Sequence, residues 1–393
     1  MSLRNGWTAG IPDSFAGIPT ASVPVTLLDV EIKVSRRIPS GAYFLPGTFS
    51  LAGRLAMSST VTTLGQLAHE TGVPYWYLRA VVERKTDPYI SLVRTKRDGT
   101  TRPISAPEPF LMTAQRWILH NVLTAVDNHP ASFAYQGERS ITDCAREHVG
   151  ARWFVKMDVH DFFGTITEQQ VYGVFRRLGY PALFSLELAR LCTRVVRSSS
   201  TRAPGYRYRS VPSYVSRSVG VLPQGGPTSG ALANAVATRM DTILAGVARK
   251  RGLIYTRYSD DLIFSASGPT GENWDRARSR NLISQVTAIA TLSGFQIHTK
   301  KTRIVPPGAR KVAVGLLVTD DGVRLLPEFR RQIEVHVRGV EKNGIRGHTE
   351  HRGFIDSHTM INYVGGCISF ACAVEPRWAE NMQRRWRVAL EHF

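Results

Sequence analysis

The chain has 393 residues and a mass of 43.6 kDa, enough for two or three lobes, since single cores rarely grow past about 250–300 residues. Hydrophobic residues at 43% and charged residues at 21% are ordinary globular usage and exclude global disorder. Fifty Lys+Arg against 31 Asp+Glu give a formal charge of +19, and only nine of the fifty are lysine. Arginine makes bidentate phosphate contacts and stacks on bases. A polyanion is therefore the expected partner, nucleic acid before membrane, although a GC-rich genome also raises the arginine count. No apolar run nears the roughly 20 residues of a membrane helix, and the start MSLRNGWTAG lacks an apolar signal segment. The four cysteines, Cys144, Cys192, Cys367 and Cys372, form no CxxC pair, which argues against a zinc ribbon and fits a reduced, cytoplasmic compartment.

Residues 1–60 read as an irregular extension, with Pro12, Pro19, Pro24, Pro39 and Pro46 scattered among Gly, Ser and Thr. Over 61–86 apolar residues recur at helical spacing around Gly72-Val73-Pro74. A packed helical pair is preferred there over a DNA-binding helix-turn-helix. YISLVRTKRDGTTRPIS, 89–105, is a hairpin pattern centred on Asp98-Gly99. Helices are expected over 109–126 and 139–149, and WFVKMDV reads as a buried strand near Asp158. Residues 167–196 look helical, and 198–220 form a loop rich in Arg, Tyr and Ser. A small-residue helix follows over 228–250, then a hairpin over 253–266 whose turn holds Tyr-Ser-Asp-Asp, then a helix over 274–293. FQIHTKKTRIV and KVAVGLLVTDDGVRLL read as strands, and the remainder as basic helices.

Acidic residues at the ends of apolar strands cost desolvation unless paired or metal-bound. Asp158 closes one such strand, and Asp260-Asp261 lie in the turn of a hairpin about a hundred residues later. Adjacent strand residues point to opposite faces, but a turn relaxes this, so at least one of the pair can meet Asp158. Converging carboxylates bind Mg²⁺ and leave positions for phosphates and water. An Asp-rich turn is also common in its own right; the separate Asp158 favours the metal reading. Phe162-Phe163 follows Asp158, glycines in LPQGGPTSG precede a helix, and Lys300-Lys301 lie near the same end of the sheet.

In their order, WFVKMDVHDFFGTI, LPQGGPTSGALANAVATRMD, YTRYSDDLIFS and GFQIHTKKTRI resemble the palm motifs of reverse transcriptases, and KRDGTTRPISAP resembles their fingers hairpin. The resemblance covers roughly 61–330 and is most like the bacterial retron enzymes. Cys144 stands where those carry Asn before Ala-x-x-His, Ala313-Val314-Gly315 where they carry Val-Thr-Gly, and Gly226 and Gly230 where Ala and Pro are frequent. The resemblance implies an α+β right-hand polymerase: fingers over 61–150, a palm over 151–324 with antiparallel sheet and backing helices, and a small RNA-binding helical thumb over 325–393. The implied activity is RNA-directed DNA synthesis with two Mg²⁺ held by Asp158, Asp260 and Asp261. Lys96 and Arg102 would hold the triphosphate of a dNTP, and Phe163 would gate against a ribose 2′-OH. Gln224 would touch nucleotide or template, and Lys301 would donate a proton to pyrophosphate.

Implied partners are a dedicated structured non-coding RNA, primed from a guanosine 2′-OH, its bound DNA product, and a separate effector protein in antiphage defence. From their charge, Arg202, Arg207 and Arg209, interleaved with Tyr206, Tyr208 and Tyr214, are expected to contact RNA. Arg384 and Arg385, beside an inward stripe of Trp378, Met382 and Trp386, are expected to grip a duplex by shape. The alternatives are another bacterial reverse transcriptase, group II intron-like or defence-associated, and a non-catalytic RNA-binding protein.

Overall fold

The computed structural model describes residues 60–95, 101–195 and 219–391, with Thr95 and Arg102 described by backbone alone. The expected extension up to residue 59, the Asp98-Gly99 tip and the Arg/Tyr-rich loop lie outside the described residues. Helices and antiparallel sheets mix along the chain, an α+β architecture. Among the described residues no helix is long and apolar enough to cross a membrane.

Two short helices, α1 (Leu64–Thr71) and α2 (Tyr75–Val82), open the described chain. Thr63 caps α1, and Gly72 ends it at φ 68, a left-handed position that costs glycine no steric clash. Strands β1 (Tyr89–Thr95) and β2 (Thr101–Pro107) form a two-stranded hairpin in full register. Helix α3 (Pro109–Asn121) ends in a 3₁₀ turn, and a Ser140–Asp143 capping box starts α4 (Ile141–Arg146). The helical stretch expected over 167–196 is two helices, α5 (Glu168–Arg177) and α6 (Ala182–Cys192). Gly179 at φ 93, followed by Pro181, breaks it, because proline cannot continue the ladder.

The central sheet carries β3 (Ala151–His160) in its middle. On one edge β3 pairs with β5 (Asp261–Ser267), which pairs in turn with β4 (Ile254–Tyr258). On the other edge lie β6 (Gln296–Ile297) and β7 (Arg303–Val305). Side chains alternate between faces with period two. Val155, Met157 and Val159, with Leu262, Phe264 and Ala266, join a core that includes α7 (Ser229–Lys250) and α9 (Arg276–Leu292). A short helix α8 (Gly268–Glu272) lies between β5 and α9. The opposite face carries Phe154, Lys156 and Asp158 opposite Ser265, Ile263 and Asp261.

A separate small sheet, β8 (Lys311–Ala313), β9 (Leu316–Val318) and β10 (Val323–Arg324), follows. Its Val314-Gly315 turn has φ 43 and 83, the pair of positive values that a type I′ hairpin requires. Val314 is buried, and this burial offsets an unfavourable backbone for a β-branched residue. The small sheet shares a second core with α10 (Pro327–Arg352), α11 (Ser357–Val374) and α12 (Pro376–Glu391). Helix α10 is broken at Gly344, φ 70 and ψ 170, a region essentially reserved for glycine.

Candidate active site

Asp158 and Asp261 are direct partners in the β3–β5 register, so their carboxylates share one face about 5 Å apart at Cβ. Like charges placed opposite one another repel. Burial, then the charges of Asp260 and Asp158, push the Asp261 carboxyl up to about 7, against the pull of Lys156 and Lys301. Asp260 occupies the two-residue turn, and its carbonyl accepts from the Val159 amide at 2.9 Å. Of the adjacent acidic pair, then, Asp261 faces Asp158 in register and Asp260 caps the hairpin.

Lys301 lies in a 3₁₀ turn, Thr299–Lys301, between β6 and β7. The turn is hung from β3 by the His298 amide, which donates to the Asp158 carbonyl at 2.7 Å. Lys301 Nζ in turn donates to Asp158 Oδ1. Burial works against the ammonium, but the hydrogen bond to Asp158 and the charges of Asp158, Asp260 and Asp261 outweigh it and hold its pKa above the usual lysine value. Among the described residues no group of three His, Cys, Asp or Glu side chains forms a ready-made metal cage. The donor set still fits a hard divalent cation: carboxylate oxygens of Asp158 and Asp261 crowded on one face by the strand register, where a bound cation would relieve their mutual repulsion.

The Ser259-Asp260 turn is held from behind by a network that sequence reasoning missed. Ser259 has φ 57, a turn position that glycine usually takes. Its carbonyl accepts from Arg257 Nη1 at 3.1 Å. Arg257 is fully buried and doubly bonded to the buried Asp241 of α7, with Nε to Oδ1 at 2.9 Å and Nη2 to Oδ2 at 2.8 Å. Asn234 and Ser132 take its remaining donors. The signal was available: an arginine on an apolar strand needs a buried acid, and Asp241 sits on the apolar face of α7.

His148, in the segment that resembles the retron Ala-x-x-His element, is also fully buried. Its ring nitrogens bond Ser265 Oγ and Thr256 Oγ1, each at 2.7 Å, and so tie β5 to β4. Cys144 makes a weaker 3.5 Å contact to the same Thr256, and burial pushes its thiol up to about 12.

Phe162 is buried against Phe295, whereas Phe163 is half-buried beside Tyr135. Gln224 is half-buried, and its carbonyl accepts from the Ser105 amide at 2.7 Å. This locks the glycine loop against β2: a Cβ on Gly225, φ +120, would meet Ile104 and the Ser105 carbonyl oxygen, both at 2.9 Å. Arg102 pairs with Arg94 in the hairpin register; Lys96 lies outside the described residues. Arg202, Arg207 and Arg209 also lie outside them. The ends of their loop are adjacent, however, because Arg194 and Val221 exchange backbone hydrogen bonds at 2.9 and 3.0 Å. Arg194 further clamps Asp87 of the segment before β1, with Nη2 to Oδ2 at 2.7 Å. In α12, Met382 and Trp386 are buried and Trp378 is half-buried, as the stripe predicts. Arg384 is exposed, but Arg385 forms a two-pronged ion pair with Glu341 of α10.

The family model described as reverse transcriptase (RNA-dependent DNA polymerase) matches residues 94–341. That is more than half of the chain, which therefore belongs to the reverse transcriptase family. It is similar to the retron Mx162 reverse transcriptase of Myxococcus xanthus, 35% identical over 269 residues, 66% of this chain and 54% of that protein. The retron Ec86 reverse transcriptase of Escherichia coli is 29% identical over 276 residues, covering 70% of this chain and 72% of that protein. The retron Mx65 reverse transcriptase of Myxococcus xanthus is 30% identical over 300 residues, covering 76% and 64%. The chain thus spans about half the length of the Mx162 relative.

Proposed function

We propose that this chain is a retron-type RNA-directed DNA polymerase, a nucleotidyltransferase that copies part of a structured non-coding RNA into DNA. The observation that carries the reading is the register of Asp158 against Asp261, with Asp260 in the adjoining turn and Lys301 on Asp158. Asp158, Asp260 and Asp261 would hold two Mg²⁺, which supply neutralising charge to the oxygens of an in-line phosphoryl transfer. Lys301, kept charged by the same carboxylates, is a proton source for the departing pyrophosphate. Phe163, half-buried beside Tyr135, forms the wall under the sugar. Gln224, fixed by β2, faces nucleotide or template, while Arg102 and Lys96 on the hairpin hold the triphosphate.

The names of the relatives support the retron assignment. With it come priming from a 2′-OH, a retained RNA–DNA hybrid, a role in antiphage defence and an effector encoded separately. In this reading the hairpin and first helices are fingers, the central sheet is the palm and α10–α12 are the thumb.

Extension of a DNA primer on an RNA template, with dNTPs and Mg²⁺, tests the reading. Asp260→Asn keeps the volume and removes a ligand charge, so synthesis should fall by about a thousandfold or more, several kcal/mol of barrier, while RNA affinity persists. A variant rate within about tenfold of wild type, a barrier change under about 1.4 kcal/mol, would overturn the metal-site assignment.

A further inference from the structure

Tyr135 belongs to none of the motifs that carry the family resemblance, yet it touches three of them. It lies in the loop between α3 and α4 at φ 61, uncommon for a residue with a side chain. Its hydroxyl shares a hydrogen bond with Ser259 Oγ at 2.9 Å. Its ring meets Phe163 edge to face, with centroids 5.9 Å apart at 63°. The same ring rests on the start of α7, where a Cβ on Gly230 would come within 2.4 Å of Tyr135 Cγ. The close approach of Tyr135 leaves no room for a side chain at Gly230. The residue remains 42% exposed, so it borders the site rather than filling the core. Strained backbone persists only where surrounding contacts over-determine it, and Tyr135 and Ser259 are both left-handed and bonded to each other.

We infer that Tyr135 is a positioning residue with two separable roles. Its hydroxyl fixes Ser259 and with it the Asp260-Asp261 turn; its ring backs Phe163 and sets how strictly the site rejects a ribose 2′-OH. The inference rests on the polymerase reading above. The two roles reside on different atoms, so two substitutions separate them. Tyr135→Phe keeps the ring and deletes the hydrogen bond. Tyr135→Leu deletes both.

The test is steady-state incorporation of dNTP and rNTP by the full chain on a primed RNA template, with melting temperature measured in parallel. Tyr135→Phe should lower kcat about fivefold, the worth of one neutral hydrogen bond, with KM for dNTP and the dNTP/rNTP ratio unchanged. Tyr135→Leu should lower kcat similarly and also cut the dNTP/rNTP ratio by about three- to tenfold, the worth of an aromatic pair. A Tyr135→Phe kcat equal to wild type overturns the hydroxyl role. Both variants melting lower with unchanged constants per folded molecule would make Tyr135 purely structural and overturn the inference. Phe163→Ala separates this from the reading beneath it. If Phe163→Ala admits ribonucleotides and Tyr135→Leu does not, the ring role fails alone. If neither does in chains that still extend the primer, Phe163 is not the sugar wall and the ring role falls with it. A wild-type chain inactive on primed RNA would instead sink the polymerase reading.

Discussion

His148 stands between the two strands of the β4–β5 hairpin with both ring nitrogens bonded to hydroxyls. Burial pushes its pKa down to about 3, so the folded protein holds it neutral. An unfolded chain binds a proton near pH 6.5. The stability that depends on neutral His148 is therefore complete above about pH 6.5 and is lost as pH falls toward 3, at about 1.4 kcal/mol per unit. His336, pushed to about 4 chiefly by burial, acts in the same direction. The urea midpoint of the wild type should drop between pH 6.5 and 5. His148→Gln, which has no proton to take, should show a shallower drop over the same window. Equal slopes would mean that His148 titrates normally in the fold. The residue was visible in the sequence as part of a motif, but its task was not. Only the pairing of β4 with β5 brings Thr256 and Ser265 to either side of it.

Helices α10 and α12 show how an element divides its charges between packing and surface. The apolar stripe of α12 buries Met382 and Trp386, and this orientation turns Arg385 toward Glu341 while leaving Arg384 in solvent. A cation already satisfied by a carboxylate has less to gain from a phosphate. Arg384→Gln should weaken binding of an arbitrary RNA duplex. Arg385→Gln should leave that affinity near wild type and cost at most about 1 kcal/mol of stability, as half-exposed pairs do. Duplex titrations of the two variants check this. A larger affinity loss in Arg385→Gln would mean that the Glu341 pair opens on binding. Reading the sequence treated the two arginines as equivalent, because adjacency in the chain says nothing about which one meets an acid 44 positions away.

Over the whole molecule the +19 charge predicts that association with nucleic acid, as proposed above, is strongly salt-dependent. Each phosphate neutralised adds roughly 0.7–0.9 to the slope of log affinity against log salt. Replacing Arg202, Arg207 and Arg209 by Gln should reduce that slope by about 2 to 3 for RNA bound to the full chain. The described residues that flank this loop, Arg194 and Val221, are bridged next to the segment before β1. A slope equal to wild type would locate the RNA surface elsewhere.

Local pattern determined the α1–α2 pair, the β1–β2 hairpin, the strand of Asp158 and the turn of Asp260-Asp261, because period, turn residues and caps act within a few positions. Composition pointed to a polyanion partner, since charge needs no fold to be counted. Tertiary structure alone decided that Asp261 is the register partner of Asp158, because strand register is set by pairing between segments about a hundred residues apart. It also decided that Phe162 is core while Phe163 is half-exposed, and that Arg257, Asp241 and Tyr135 hold the turn from three separate elements. Those assignments rest on burial and on hydrogen bonds between distant segments. A buried charge or a strained turn residue announces that a partner exists; only the packed chain says which residue it is.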